Sequence, residues 1–249
     1  MRKFLKQIRS IVILAWLNGS LPALRGPLYV VMYTITPISV LFFVSIYGSG
    51  IYVPIGYAGG LLMIIIASGL AVIGDTVWYK IESKFQDMIV ASPVSPLIYA
   101  IGIGISELSY TLPVVVLFLA IIIFLHIFAL QNLLAILLVA CAAWMMAASI
   151  GFTAATYMRS IKNAWPISAL LSIVLSFAPP IFYPISIIPE PVRALAYLLP
   201  TTYAGLLLHD AIGVERLTLG MRITYWVILL LLTAGFAILA SVKSRWREA

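Results

Sequence analysis

Any chemistry in this chain has to come from few side chains: eight acidic residues, two histidines and one cysteine among 249. A helical metal pair is excluded, because His126 and His209 lie far apart and no H-E-x-x-H surrounds either. No G-x-x-x-x-G-K-[ST] occurs, so the chain has no loop of its own to cradle nucleotide phosphates. A Ser/His or Ser/Lys nucleophile pair has no convincing member, which argues against an intramembrane enzyme. Cys141 stands alone in an apolar run; it reads as a small core residue and excludes a disulfide within the chain. Two carboxylates remain. Glu107 lies about ten residues into an apolar run, roughly 15 Å along a helix axis, and is the candidate intramembrane charge. The alternative is that it pairs with a polar neighbour. Asp75, close to Lys80, reads as an interfacial residue.

The one helix-length charged stretch inside apolar sequence is 78–96, WYKIESKFQDMIVASPVSP. Ile81, Phe85, Met88 and Ile89 recur at i, i+4, i+7 and i+8 and would share one helical face. Lys80, Glu82, Ser83, Lys84, Gln86 and Asp87 take the other faces. Ser92-Pro93 ends that helix, and Ser95-Pro96 supplies the N-cap and first position of the next. A short amphipathic helix between two apolar runs has the chemistry of a docking element: an apolar ridge fills a groove and charges orient it.

The elements that must position these residues are membrane helices. The chain is 63% hydrophobic and 9% charged, where a soluble domain carries about a quarter charged residues. The reading is a single all-α integral membrane domain over 1–249. Its net charge of +7 is no nucleic-acid signal, because the basic residues cluster at segment ends, where they anchor against anionic lipid. Phe4, Ile8, Ile11, Val12, Ala15 and Trp16 form one stripe, with Arg2, Lys6 and Arg9 off it, which describes an interfacial surface helix. No small-residue cleavage site follows, so the segment is read as retained. Gly19, Pro22, Gly26 and Pro27 are expected to break it, making 1–27 surface helix and linker.

Six spans are expected: 28–47, kinked at Pro37; 55–77, rich in glycine for close helix approach; 97–128, interrupted by Pro113; 133–158; one from about residue 164; and 223–242. Arg159 and Lys162 mark a tight turn between the fourth and fifth. With both termini inside, twelve of the fifteen Lys and Arg residues fall on the inner side, leaving Arg193, Arg216 and Arg222 outside. That bias places 78–96 in the cytoplasm. Between the fifth and last spans, Pro179, Pro180, Pro184, Pro189, Pro191 and Pro200 cut an apolar stretch into pieces too short to cross about 30 Å. The reading is a re-entrant hairpin within 179–220, with half-helices at 191–199 and 202–211 and Thr201 or Thr202 capping the second. A full seventh span over 194–212 is the competing topology. Phe182, Tyr183, Tyr197 and Tyr203 would be interfacial aromatics, and Glu190 would pair with Arg193 at i, i+3.

Together these features resemble the permease subunit of type-2 ABC exporters. The family's pattern around its coupling helix is matched by Glu82 through Met88, Ile89 and Val90 to Ala91-Ser92-Pro93-Val94-Ser95-Pro96. The block before its last span is matched by Pro179-Pro180-Ile181-Phe182-Tyr183-Pro184, by Ile188-Pro189 and by Leu199-Pro200-Thr201-Thr202-Tyr203-Ala204. The likeness covers essentially the whole chain and leans toward the drug- and antibiotic-resistance branch; the polysaccharide-exporting branch is similar in layout. The resemblance implies a multi-pass cell-membrane protein that pairs with a second permease chain and two separate ABC ATPase subunits. ATP and Mg would sit on those partners and no cofactor on this chain. Ile81, Glu82, Lys84, Phe85, Asp87, Met88 and Ile89 would couple to the ATPase, Phe4, Ile8 and Arg9 would belong to the surface helix, and Pro180, Phe182, Tyr183, Glu190, Arg193 and Tyr203 would form a gate. The substrate class expected is amphipathic, lipid-like or drug-like. A six-span secondary transporter or channel is the reading of another class.

Overall fold

The computed structural model describes residues 2–26, 28–48, 50, 52–92, 94 and 96–243. In hydrocarbon the backbone satisfies its polar groups within helices, and the described residues contain helices and no strand. They are α1 (Arg2–Ala15), α2 (Leu21–Arg25), α3 (Leu28–Tyr47), α4 (Tyr52–Ile81), α5 (Phe85–Val90), α6 (Pro96–Phe124), α7 (Leu133–Tyr157), α8 (Ile161–Phe177), α9 (Glu190–Leu198), α10 (Thr202–Ala211) and α11 (Leu219–Lys243). Four segments, Tyr52–Ile81, Ile98–Phe124, Leu130–Tyr157 and Leu219–Lys243, are long and apolar enough to cross a bilayer; Thr34–Ile46 and Ile161–Phe177 are shorter apolar helices. The fifth expected span is short because Pro179-Pro180 follows α8 after one residue, its C-cap Ala178. The protein is an all-α membrane protein.

α4 is the axis of the bundle. Its most apolar window is 89% buried, against 17–33% for the other three long segments, so α4 is enclosed by protein while the others keep an apolar face turned outward. Small residues let its neighbours close in, as expected. A Cβ on Gly69 would sit 2.7 Å from the Cβ of Ala147 and 2.8 Å from the backbone nitrogen of Ala148, so α4 and α7 touch backbone to backbone there. Ser168 of α8 donates to the Leu70 carbonyl of α4 at 2.9 Å, and Thr233 of α11 to the Ala142 carbonyl of α7 at 3.3 Å.

Three expected boundaries move. Gly19 does not break the first helix. α1 continues through a π-helical turn, Trp16–Ser20, into α2. Pro22 cannot donate to the Asn18 carbonyl, and that carbonyl instead accepts the Tyr110 hydroxyl of α6 at 3.0 Å. Gly19 allows the crossing, since a Cβ there would meet the Ser106 backbone at 2.5–2.9 Å. Pro113 does not interrupt the third span, because α6 runs through it as one helix. That helix stops at Phe124, where the chain turns at His126 (φ 52°). Finally, the glycine-rich span does not end at Val77: α4 runs on to Ile81. The turn at Arg159 forms as expected, with α7 ending at Tyr157 and α8 starting at Ile161.

The bundle thus has two ends. One carries α5, the start of α6 and the end of α11. The opposite one carries the starts of α4 and α7 and the pair α9–α10, tied to α7's entry by Asn132 Nδ2 donating to the Ala211 carbonyl at 2.8 Å.

Candidate functional site

The charged segment is not one helix. α4 closes with the Glu82 and Ser83 amides both donating to the Trp78 carbonyl, at 3.0 and 3.1 Å. Lys84 then takes the left-handed conformation (φ 51°) before α5 begins. The Phe85 amide donates to Ser83 Oγ at 3.3 Å, and Asp87 lies in the first turn of α5, where the helix dipole favours a negative charge. The turn resets the helical phase, so Ile81 ends α4 and is separated from Phe85, Met88 and Ile89 on α5.

This break corrects the expected apolar docking ridge. Phe85, Ile89, Val90 and Val94 face inward and pack against a buried cluster of Leu14, Val72, Tyr79, Tyr99, Ile103, Phe152 and Ala240. The Phe85 ring lies 5.5 Å from that of Tyr79. Gln86, assigned to a polar face, is buried. What points outward is Glu82, Ser83, Lys84 and Asp87 together with Met88, which is 63% exposed. Among the described residues no ion pair ties Glu82, Lys84 or Asp87 down. Ser92 Oγ donates to the Ile89 carbonyl at 2.6 Å as the helix ends; Pro93 and Ser95 lie outside the described residues, and Pro96 opens α6 as expected. α1 flanks this end, with Leu14 against Gly102 of α6 and Arg9 exposed; the side chains of Phe4 and Ile8 lie outside the described set.

Glu107 is 1% exposed on α6 and makes a side-chain hydrogen bond with Asp75 of α4. The deep carboxylate therefore meets a polar neighbour. Asp75, expected as a plain interfacial residue, is instead the partner of Glu107, while the nearby Lys80 reaches the Thr156 carbonyl with its Nζ at 3.5 Å.

At the other end the proline block folds back over α8. The Tyr183 hydroxyl donates to the carbonyls of Phe177 and Ala178, at 3.1 and 2.7 Å, satisfying helix-end acceptors. Phe182 stacks on Phe177 (centroids 5.1 Å apart, 17° between planes) and closes over Gly59 of α4. Pro180 is buried, and its carbonyl would lie 2.6 Å from a Cβ on Gly205 of α10. α9 and α10 match the expected half-helices, but neither threonine caps α10. Thr201 Oγ1 donates to the Leu175 carbonyl of α8 at 2.7 Å, and Thr202 Oγ1 to the Ala196 carbonyl of α9. Thr201 thus pins the hairpin to a carbonyl that the end of α8 leaves open, and Thr202 ties α10 to the last turn of α9. Arg193 does not pair with Glu190. Its Nη2 donates at 3.1 Å to the Ile188 carbonyl, which lies before α9 begins, while Glu190 is exposed in that helix's first turn. Tyr203 donates to the Tyr197 carbonyl at 3.0 Å and packs 5.8 Å from Tyr225 of α11.

Sequence reasoning passed over the C-terminus of α10. Asp210 forms an ion pair with Arg222 of α11 at 2.7 Å and accepts the Leu217 amide at 3.0 Å. His209 is fully buried, with Nε2 3.1 Å from the Ile181 carbonyl and Nδ1 3.5 Å from Glu215 Oε2. The available signal was Gly213 shortly after an apolar helix, the mark of a left-handed helix stop.

The described residues hold no group of His, Cys, Asp and Glu that could bind a metal ion. No curated protein matches the chain. The family model for the ABC-2 type transporter does match, over residues 11–211, taking in the end of α1, the α5 turn and the hairpin to the last residue of α10. With its apolar helices and that span of agreement, the chain is a membrane permease belonging to the ABC-2 type transporter family.

Proposed function

We propose that this permease is the membrane subunit of an ATP-driven exporter, that it pairs with a second permease chain, and that separate ATPase subunits dock on the α4–α5 turn. The observation that carries the reading is the exposed set Glu82, Lys84, Asp87 and Met88, mounted on a turn whose apolar side is anchored to the bundle through Phe85 and Ile89. Such a turn can be pushed from outside and cannot slide without moving α4 and α6. The charge bias of the sequence puts it on the cytoplasmic side, with both termini and six membrane passages, α3 and α8 supplying the two shorter ones.

On this reading the hairpin and the 179–184 block form the outer gate, and the path between two permease chains admits an amphipathic, lipid-like or drug-like substrate through faces that are almost wholly apolar. ATP-driven closure of the ATPase pair shifts the spans between inward-open and outward-open states. The test is charge reversal, Glu82→Lys, in the reconstituted complex. Loss of transport and of substrate-stimulated ATP hydrolysis, with the permease still folded, is the expected result; unchanged coupling would overturn the docking assignment.

A further inference from the structure

We propose that His209 is a proton-operated latch: its charged ring ties the 179–184 block, through the Ile181 carbonyl, to Glu215 in the loop between α10 and α11. A carbonyl only accepts, so Nε2, 3.1 Å from Ile181 oxygen, carries a hydrogen. A neutral imidazole has one N–H, which leaves Nδ1 a bare lone pair facing the Glu215 carboxylate 3.5 Å away. Nδ1 accordingly makes no hydrogen bond. One added proton turns both nitrogens into donors and makes the second contact a charge-assisted bond.

The backbone holds Glu215 in place for this. The Gly213 amide donates to the Asp210 carbonyl and the Val214 amide to that of His209, each at 3.0 Å, with Gly213 at φ 77°. This is the two-bond stop of an α-helix around a left-handed residue. The Glu215 amide also reaches the His209 carbonyl, at 3.3 Å, so the loop curls back over the very residue its side chain faces.

Other ionisable groups near α10 are engaged or turned away. Arg222 of α11 is held by Asp210, Arg193 of α9 by the Ile188 carbonyl, and Glu190 and Arg216 are exposed. Tyr203 on α10 itself is bound to the Tyr197 carbonyl, Tyr225 of α11 packs on Tyr203, and Tyr183 is bound to the end of α8. At this end α4 carries Tyr52 and Tyr57, and α7 carries Cys141. Glu215 is therefore the carboxylate available to His209, and its 21% exposure gives protons a way in.

The sign follows from the geometry. The Ile181–His209–Glu215 tie is complete when the ring is charged and loses its Glu215 arm as pH rises and the ring loses its proton. Gain of the ring's proton therefore fastens the block to the hairpin. That fastening bears on transport only through the reading of this end as the gate.

The experiment uses the full chain in lipid nanodiscs with 15N-labelled histidine. Only two histidines exist, and His126→Gln removes the other signal. On acidification from pH 8 to 5, His209 should pass from the Nε2–H tautomer to imidazolium, and Glu215→Gln should move that change to lower pH. A ring neutral down to pH 5, or the same midpoint in Glu215→Gln, overturns the latch. Transport by the assembled complex should fall from pH 7.5 to 5.5 on the hairpin side in wild type and stay level in Glu215→Gln. A normal titration with pH-independent transport would leave the latch standing and count against this end being the gate.

Discussion

Truncating Met88 separates docking from folding more cleanly than any other change at the α4–α5 turn. Fully burying a methionine side chain is worth about 1.5–3 kcal/mol. Met88 is 63% exposed in the isolated permease, so roughly two thirds of that, about 1–2 kcal/mol, remains to be gained when a partner covers it. Met88→Ala forfeits most of this gain and should weaken ATPase binding about 5- to 25-fold, since each 1.4 kcal/mol is tenfold. The permease itself should hardly notice, because a side chain pointing out of the fold contributes within about 0.5 kcal/mol to stability. Phe85→Ala is the contrasting case: its ring packs on Tyr79 at 5.5 Å, so it should lower Tm and disturb coupling together. The assay titrates purified ATPase onto nanodisc-held permease and reads the Kd, with Met221→Ala, 44% exposed on α11 at the opposite end, as control. Equal Kd values for Met88→Ala and Met221→Ala, with ATP hydrolysis stimulated alike, would refute the assignment of this turn as the docking surface.

Three further perturbations test the packing that supports both ends. Gly19→Ala drives a methyl into the Ser106 backbone, which no rotamer relieves; overpacking of this kind costs about 1–3 kcal/mol and should appear as a lower Tm of the solubilised chain, whereas an unchanged Tm would mean that α1 does not cross α6 here. Thr201→Val removes the donor to the buried Leu175 carbonyl, a loss of about 1–3 kcal/mol; thermal unfolding and amide exchange at the α8 end should both report it. A hydrogen bond between two carboxyls needs a proton between their oxygens, so Glu107→Gln, which keeps a donor and an acceptor facing Asp75, should stay within about 1 kcal/mol of wild type while Glu107→Ala leaves Asp75 unmatched and costs about 1–3 kcal/mol. Equal stability of the two variants would show that the pair is not formed.

The features readable from the sequence are those written locally. Proline spacing gave α9 and α10 nearly to the residue, because a ring without an N–H acts where it stands. The α7–α8 turn followed from Arg159 and Lys162 beside two apolar runs. The 78–96 segment departs from its helical wheel for a physical reason. A helical wheel assumes constant phase, and Lys84 in the left-handed region breaks it, so residues that share a face on the wheel part company in the fold. The N-terminal helix departs in the opposite direction: Gly19 and Pro22 look like breakers, yet a π-turn and a hydroxyl from Tyr110, far along the chain, absorb them. Asp75 with Glu107, and His209 with Ile181, were illegible because each joins side chains or carbonyls on elements whose approach no periodicity encodes.

The two ends are joined by α4, and its construction favours one kind of motion. Tyr79 contacts Phe85 of the α4–α5 turn, and Gly59, on the same helix, lies against the Ile181 carbonyl and the Phe182 ring. The twenty residues between them span roughly 30 Å of continuous helix, with no proline after Pro54 and protein on nearly every side. A sharp kink needs a proline, a bulge, a Gly/Ser pair or an inserted group; the stretch holds no proline, and α4 runs unbroken through its Ser68-Gly69 pair. Under the exporter reading, a displacement of the turn therefore reaches the hairpin end as a tilt or slide of a stiff rod. Gly59 is where that rod presses on the block that His209 holds from the other side. A bulky side chain there would wedge the block away from α4 without touching the docking turn. Gly59→Leu should thus leave ATPase binding intact while uncoupling transport from hydrolysis, and weakened ATPase binding in that variant would mean that the two ends are not mechanically separable.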